Sequence, residues 1–212
     1  MSTIPDRHTR RRLATRQAIS DAATRLFLEN GFDHVTVDEI AEAADVGRMT
    51  VFNHFPRKED MFFDRDEEGR AMLRAALRES VDGTSPIETL RRFAHELVEG
   101  PQPYLRFFAG SRKFVETVEA SETLMARARA IRDEFAQVVA ASLAECSQRE
   151  PTDADTLLAA NLLLSTWSVA FVQAHRIFRQ REDASAAKAV FLDLIDKGTR
   201  GIMAAMINTP YA

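Results

Sequence analysis

Apolar residues recur at helical spacing along almost all of this chain, and that pattern most restricts what it can fold into. Alternating β-branched runs bounded by turns, the mark of strands, are scarce. The 212 residues are 45% apolar, enough to bury a sizeable core. The reading is an all-α protein of about nine helices. Three short helices lie near the N-terminus and form a helix-turn-helix domain over residues 1–57. Six longer helices follow in a larger domain over 58–212.

The boundaries rest on local signals. Residues 10–30 carry Leu13, Ile19, Ala22, Ala23, Leu26 and Phe27 at helical spacing, and Gly31 ends the helix. Thr36 with Glu39 three places on forms a capping box, which starts the second helix. Asp45-Val46-Gly47 makes a turn. A short third helix runs from Gly47 to His54, stopped by Pro56. A long fourth helix is predicted from Lys58 to about Val81. After the loop Asp82-Gly83-Thr84, Ser85 caps the next helix and Pro86 takes its first position. Further helices are expected at 87–99, 104–118, 121–147, 155–180 and 185–207.

Composition narrows the function classes. Net charge is −4, and the single cysteine, Cys146, excludes a disulfide framework and suits a reducing cytoplasm. Cys146 reads as a buried small apolar residue. The N-terminus MSTIPDRHTRRR has no apolar signal stretch. Leu157 to Val172 falls short of the roughly 20 residues of a membrane span and reads as a buried helix. His95-Glu96-Leu97-Val98-Glu99 lacks the second histidine of a zinc-protease motif. The acidic group Asp64, Asp66, Glu67 and Glu68 lacks a calcium-loop glycine and reads as a solvated face. No phosphate-binding glycine loop or nucleophile elbow is present. No metal, cofactor or catalytic residue is predicted.

Charge is nevertheless concentrated. The first twenty residues carry a side-chain charge of +4, from Arg7, Arg10, Arg11, Arg12 and Arg16 against Asp6. Residues 46–58 add Arg48, Arg57 and Lys58 and contain no acid. Two small helices with a basic, hydrogen-bonding second member suit the DNA major groove. Arg11 and Arg12 are candidate phosphate contacts. Arg48, Thr50 and Asn53 are candidate base readers, Arg favouring guanine and Asn adenine. His54 and Lys58 are placed as phosphate anchors.

The order Phe-x-x-x-Gly-Phe, then Thr-Val-x-Glu-Ile-Ala-x-Ala-Ala-x-Val, then Thr-Val-Phe-x-His-Phe-x-x-Lys-Glu-Asp resembles the DNA-binding domain of the tetracycline-repressor (TetR) family. The resemblance covers residues 9–62. It implies a homodimeric transcriptional regulator, usually a repressor, on a palindromic double-stranded operator. A small-molecule effector binding in the larger domain would release it. It also implies DNA contacts by Thr36, Arg48, Met49, Thr50, Phe52, Asn53, His54 and Lys58. Two positions depart from the family's pattern. Phe52 stands where tyrosine is frequent, so it serves packing. Arg57 replaces the usual serine or threonine cap, so the fourth helix starts more weakly.

Ten of the fourteen phenylalanines lie beyond residue 60. Phe93, Phe107, Phe108, Phe135, Trp167 and Phe171, with Ser111 and His175, are candidate lining for an effector pocket between helices. Arg106, Arg112 and Arg127 are further polar groups that could converge there. The plain alternative is ordinary core. Leu158, Leu162, Val190, Leu194, Ile202 and Met206 on the last two helices are candidates for a dimer interface, or else close the chain's own core. The competing function is an all-α ligand-binding protein or enzyme in which the helix-turn-helix is structural.

Overall fold

The computed structural model describes residues 6–79, 83–100 and 105–212. The predicted end of the fourth helix at Val81, Asp82 of the following loop and the helix start at Tyr104 lie outside them. Ten α-helices are described: α1 (Arg7–Asn30), α2 (Val37–Ala43), α3 (Arg48–His54), α4 (Glu59–Phe62), α5 (Asp66–Arg78), α6 (Pro86–Glu99), α7 (Ala109–Glu119), α8 (Glu122–Ser147), α9 (Ala154–Arg181) and α10 (Ala184–Ala205). The described residues contain no strand. The chain forms two compact units. One comprises residues 1–66 and 116–127, the other 67–115 and 128–212.

In the first unit, α1 begins at Asp6, whose carboxylate accepts the Thr9 N–H at 2.7 Å. It ends at Gly31, where φ of 84° requires a residue without Cβ and lets the Gly31 N–H reach the Phe27 carbonyl at 3.0 Å. Ile19, Ala23 and Phe27 form the buried stripe of α1. Phe27 meets Phe32 at 4.9 Å and Phe62 at 5.9 Å between ring centroids. Ile40, Val51, Phe55 and Met61 are fully buried in the same unit.

The single fourth helix expected from the sequence is two helices, interrupted at Phe63–Arg65. The polar run Asp64 to Arg70 does not itself prevent helix, since α5 already begins at Asp66. At the break Asp64 turns inward and accepts a short hydrogen bond from the Ser20 hydroxyl of α1. The weak start foreseen from Arg57 is also seen: Lys58 takes the cap position of α4 with no side-chain cap hydrogen bond.

The second unit has two apolar clusters. In one, Leu73 and Leu77 of α5, Leu90 of α6, Leu143 of α8, Leu163 of α9 and Ile202 of α10 pack with Met206 and Tyr211. In the other, Leu97 of α6, Leu105, Phe107, Ala174 and Phe178 of α9 and Phe191 of α10 pack together. Phe93 lies against both. The Ser85 cap accepts the Glu88 N–H at 3.2 Å, with Pro86 at the first helical position as expected. Cys146 is exposed, not buried as its residue type suggested, because it sits past the last buried turn of α8.

α9 is 28 residues long, more than the apolar run predicted, and by length and composition is the one described helix that would cross a membrane. One side of it, however, is buried in this unit through Ala159, Leu163, Ala170, Ala174 and Phe178. It packs closely on α10. A Cβ built on Gly198 would lie 2.2 Å from Thr166 Cγ2 and 3.0 Å from Thr166 Cβ. Threonine is stiff at χ1 and cannot swing clear. Gly198→Ala is therefore expected to destabilise the chain by about 1 kcal/mol or more, overpacking outweighing the better helix propensity. Gly201, three residues on, has nothing within 4 Å of such a Cβ. Gly201→Ala is expected to stabilise by about 0.5–1 kcal/mol. Urea unfolding of the two variants, moving the midpoint in opposite directions, checks both.

Candidate nucleic-acid interface

The α2–α3 pair is built by local rules. Thr36 Oγ1 accepts the Glu39 N–H at 3.2 Å, while the Glu39 carboxylate accepts the Thr36 N–H at 2.7 Å, the complete capping box. The Glu39 carboxyl is held below its ordinary pKa by that backbone bond and by the Thr36 hydroxyl. The chain then turns through Asp45, left-handed at φ 52°, and the Val46 N–H closes on the Ala41 carbonyl at 3.0 Å. Gly47 caps α3, its carbonyl accepting the Thr50 N–H at 2.8 Å.

α3 has seven residues and one anchored side. Val51 and the following Phe55 are fully buried. Opposite them Met49 and Asn53 are exposed, Met49, an apolar side chain, by 71%, and Arg48 is exposed at the start of the helix. Thr50 and Phe52 are half-buried. The Arg48 guanidinium donates from Nη1 to Asp38 Oδ2 at 2.7 Å and lies 5.6 Å from the Phe52 ring centre.

α1 fixes the end of α3. Arg16 donates from Nη1 to the His54 carbonyl at 2.6 Å and lies over the Phe55 ring at 3.9 Å. Burial, then the Arg12 and Arg16 charges, push the His54 pKa below its ordinary value. Lys58 is turned inward. Its ammonium donates to the Phe32 carbonyl and lies 4.3 Å from the Phe32 ring centre. Burial lowers the Lys58 pKa against the opposing pull of Asp33, Glu39 and Glu59. A phosphate contact by Lys58 would have to compete with this internal bond. Arg11 and Arg12 are exposed on the first turns of α1, which are helical. Thr36 is exposed but committed to its capping box.

In the second unit, Phe93, Phe107, Trp167, Phe171 and His175 are brought together. Trp167 stacks on Phe93 at 6.1 Å, and buried His175 lies 5.0 Å from Phe107 and 4.5 Å from Phe171. Phe135 belongs to the other cluster. Phe108 is 51% exposed, and Ser111 is engaged with the Phe108 backbone, accepting its N–H at 3.1 Å. Arg112 pairs with Glu182 at 2.7 Å. Arg127 belongs to the first unit, paired with Asp60 and Asp66, so it is not part of this cluster. The acidic group near α5 is likewise no bare solvated face: Asp64 meets Ser20, Asp66 meets Arg127, and Glu67 meets Arg70 and Arg74.

Of the candidate dimer residues, Leu158 is exposed, and Leu162, Val190 and Leu194 are half-buried. Ile202 and Met206 are buried in the chain's own core and have no surface left for a second copy. Sequence reasoning missed Val169 and Val172, 53% and 54% exposed. At 100° per residue they fall with Leu158 and Leu162 within a stripe about 80° wide, a spacing that was there to be read.

Residues 19–64 match the family described as "Bacterial regulatory proteins, tetR family". The transcriptional regulator TcmR of Streptomyces glaucescens is 33% identical over 86 residues, which is 41% of this chain and 38% of TcmR. The repressor AcnR of Corynebacterium efficiens is 31% identical over 90 residues, 42% of this chain and 44% of AcnR. The chain thus spans less than half the length of these curated relatives. Among solved structures, Thermus thermophilus FadR in complex with lauroyl-CoA matches 91% of this chain and 95% of its own, with TM-score 0.58 and 24% identity. NalD of Pseudomonas aeruginosa matches 87% and 96%, with TM-score 0.56 and 24% identity. At these identities the likeness shows the fold.

Proposed function

We infer that this chain, whose residues 19–64 match the tetR family of bacterial regulatory proteins, is a DNA-binding transcriptional regulator of that family. The observation that carries the reading is the outward face of α3. Met49 and Asn53 stand exposed opposite fully buried Val51 and Phe55, and Arg48 stands exposed at the start of the same helix. None of the three is needed to fill the core of the first unit. Their chemistry suits base edges in a major groove.

The fuller proposal is a cytoplasmic homodimeric repressor without a catalytic role. DNA reading is assigned to residues 1–57, and effector binding and dimerisation to 58–212. Each copy sets α3 in a major groove of a palindromic operator, with half-sites about 34–36 Å apart or a multiple of that. Dimerisation is assigned to the exposed α9 stripe of Leu158, Val169 and Val172 together with half-buried Leu162, Val190 and Leu194. The effector site is placed at the aromatic cluster around Phe107, Phe171 and His175, which suits an apolar or aromatic small molecule. Release follows if that molecule binds the DNA-incompetent state more tightly.

The test is a gel shift of the full chain on the DNA upstream of its own gene. The double variant Asn53→Ala, His54→Ala is expected to lose at least about tenfold in affinity, as befits removal of a base contact and a neighbouring phosphate contact. Undiminished binding by that variant would remove α3 from the interface.

A further inference from the structure

We infer that Asp38 is a specificity-determining residue, holding the Arg48 guanidinium in the orientation that reads a base. The inference rests on the DNA-reading function proposed above. Asp38 lies in the first turn of α2 and Arg48 begins α3, so their 2.7 Å bond spans the two helices of the reading module. The two side chains are 57% and 65% exposed, for Arg48 and Asp38 respectively. An ion pair that open adds little to stability. An acid in a first helical turn is favoured by the helix dipole alone, but that preference does not call for an arginine partner from the next helix.

The pair instead restricts where the guanidinium points. Nη1 is held by Asp38 on one side, and the Phe52 ring lies 5.6 Å away, one turn along α3, on another. A guanidinium has five N–H donors in a rigid fork, so holding one leaves an edge with two donors for the paired acceptors of guanine. A flexible arginine loses rotamer freedom on docking, whereas one held beforehand loses less.

The carboxylate has a second effect of opposite sign. Beside a duplex lined with phosphates it repels every sequence equally. Removing its charge therefore strengthens general binding while weakening discrimination. A merely structural aspartate would lower both together or change neither.

The experiment uses the full chain as wild type, Asp38→Asn, Arg48→Ala and the double variant. Wild type selects binding sites from randomised duplex DNA. Affinities are then measured for the selected duplex, its single-base variants and an unrelated duplex. Asp38→Asn is expected to lose about three- to tenfold in preference at one base position, with unrelated-duplex binding unchanged or stronger. Arg48→Ala loses preference at that same position, and adding Asp38→Asn to it changes nothing there. Should Asp38→Asn keep full preference at every position, or act equally in the Arg48→Ala background, Asp38 does not orient Arg48 and the inference falls. Should wild type select no sequence at all, the DNA-reading function falls first.

Discussion

Raising the salt concentration from about 50 mM to about 200 mM is expected to weaken duplex DNA binding by about a thousandfold. The chain is acidic overall, with net charge −4, so this sensitivity cannot come from a general positive coat. It comes from a local set of cations. Arg7, Arg10, Arg11 and Arg12 are all exposed on the first turns of α1, and Arg48 and Arg57 are exposed in and just after α3. Arg16 and Lys58 drop out of this set, because the first ties the His54 carbonyl and the second the Phe32 carbonyl. Not all of these cations can meet phosphate at once, but about three contacts from each of two copies, six in total, give a salt slope near −5, which over a fourfold change in salt is roughly three decades.

The helical setting of the arginines makes a sharper prediction. Successive residues point about 100° apart, so Arg10, Arg11 and Arg12 cannot all face one phosphate strand. Arg12 lies four residues before Arg16, on the same side of α1, and Arg16 ties the His54 carbonyl at the end of α3. Arg12→Ala is therefore expected to reduce the slope by about one per site, and Arg10→Ala by less. Fluorescence anisotropy of a labelled duplex across a salt series measures both. A slope near zero for wild type would mean that these arginines do not meet phosphate.

What was legible in the sequence was what is decided within a few residues. The Thr36–Glu39 capping box, the Ser85 cap with Pro86 and the Gly31 stop each depend on neighbours one turn away, and each is present in the structure. The exposed α3 face was legible too, because Val51 and Phe55 set its buried side at helical spacing. The rest depended on partners far along the chain. Within the break at Phe63–Arg65, Asp64 accepts from Ser20, a pairing of residues 44 apart that no local signal shows. Lys58 reads as a free cation until the Phe32 carbonyl, 26 residues away, is placed beside it. Ile202 and Met206 share the helical spacing of a surface stripe, and only the packing of α5, α6, α8 and α9 assigns them inward. Periodicity finds an apolar face. It does not say whether the face meets its own chain or another.

Arg127 shows the same limit with larger energetic consequences. Its side chain is 10% exposed, and it donates from Nε to Asp60 Oδ1 at 3.1 Å and from Nη2 to Asp66 Oδ2 at 3.3 Å. One carboxylate belongs to α4 and the other begins α5, so a single guanidinium from α8 spans the break between them. Ser121, just before α8, donates to Asp33 at 2.9 Å and gives the same segment a second polar tie in the first unit. Arg127→Met keeps much of the side-chain volume but takes its cation from two carboxylates 21% and 16% exposed, leaving Asp60 its longer 3.8 Å pair with Arg57. Breaking a fully buried pair from one side costs about 3–5 kcal/mol, and the residual solvent access here reduces that to about 2–3 kcal/mol. The triple variant Arg127→Met, Asp60→Asn, Asp66→Asn lowers the excess negative charge and is expected to recover part of the loss, less the Asp60 pair with Arg57 that it also breaks. Hydrogen exchange of the α4 amides, with urea unfolding alongside, reads the two variants. Full stability in Arg127→Met would mean that the remaining partners of Asp60 and Asp66, Arg57 among them, and water suffice without Arg127.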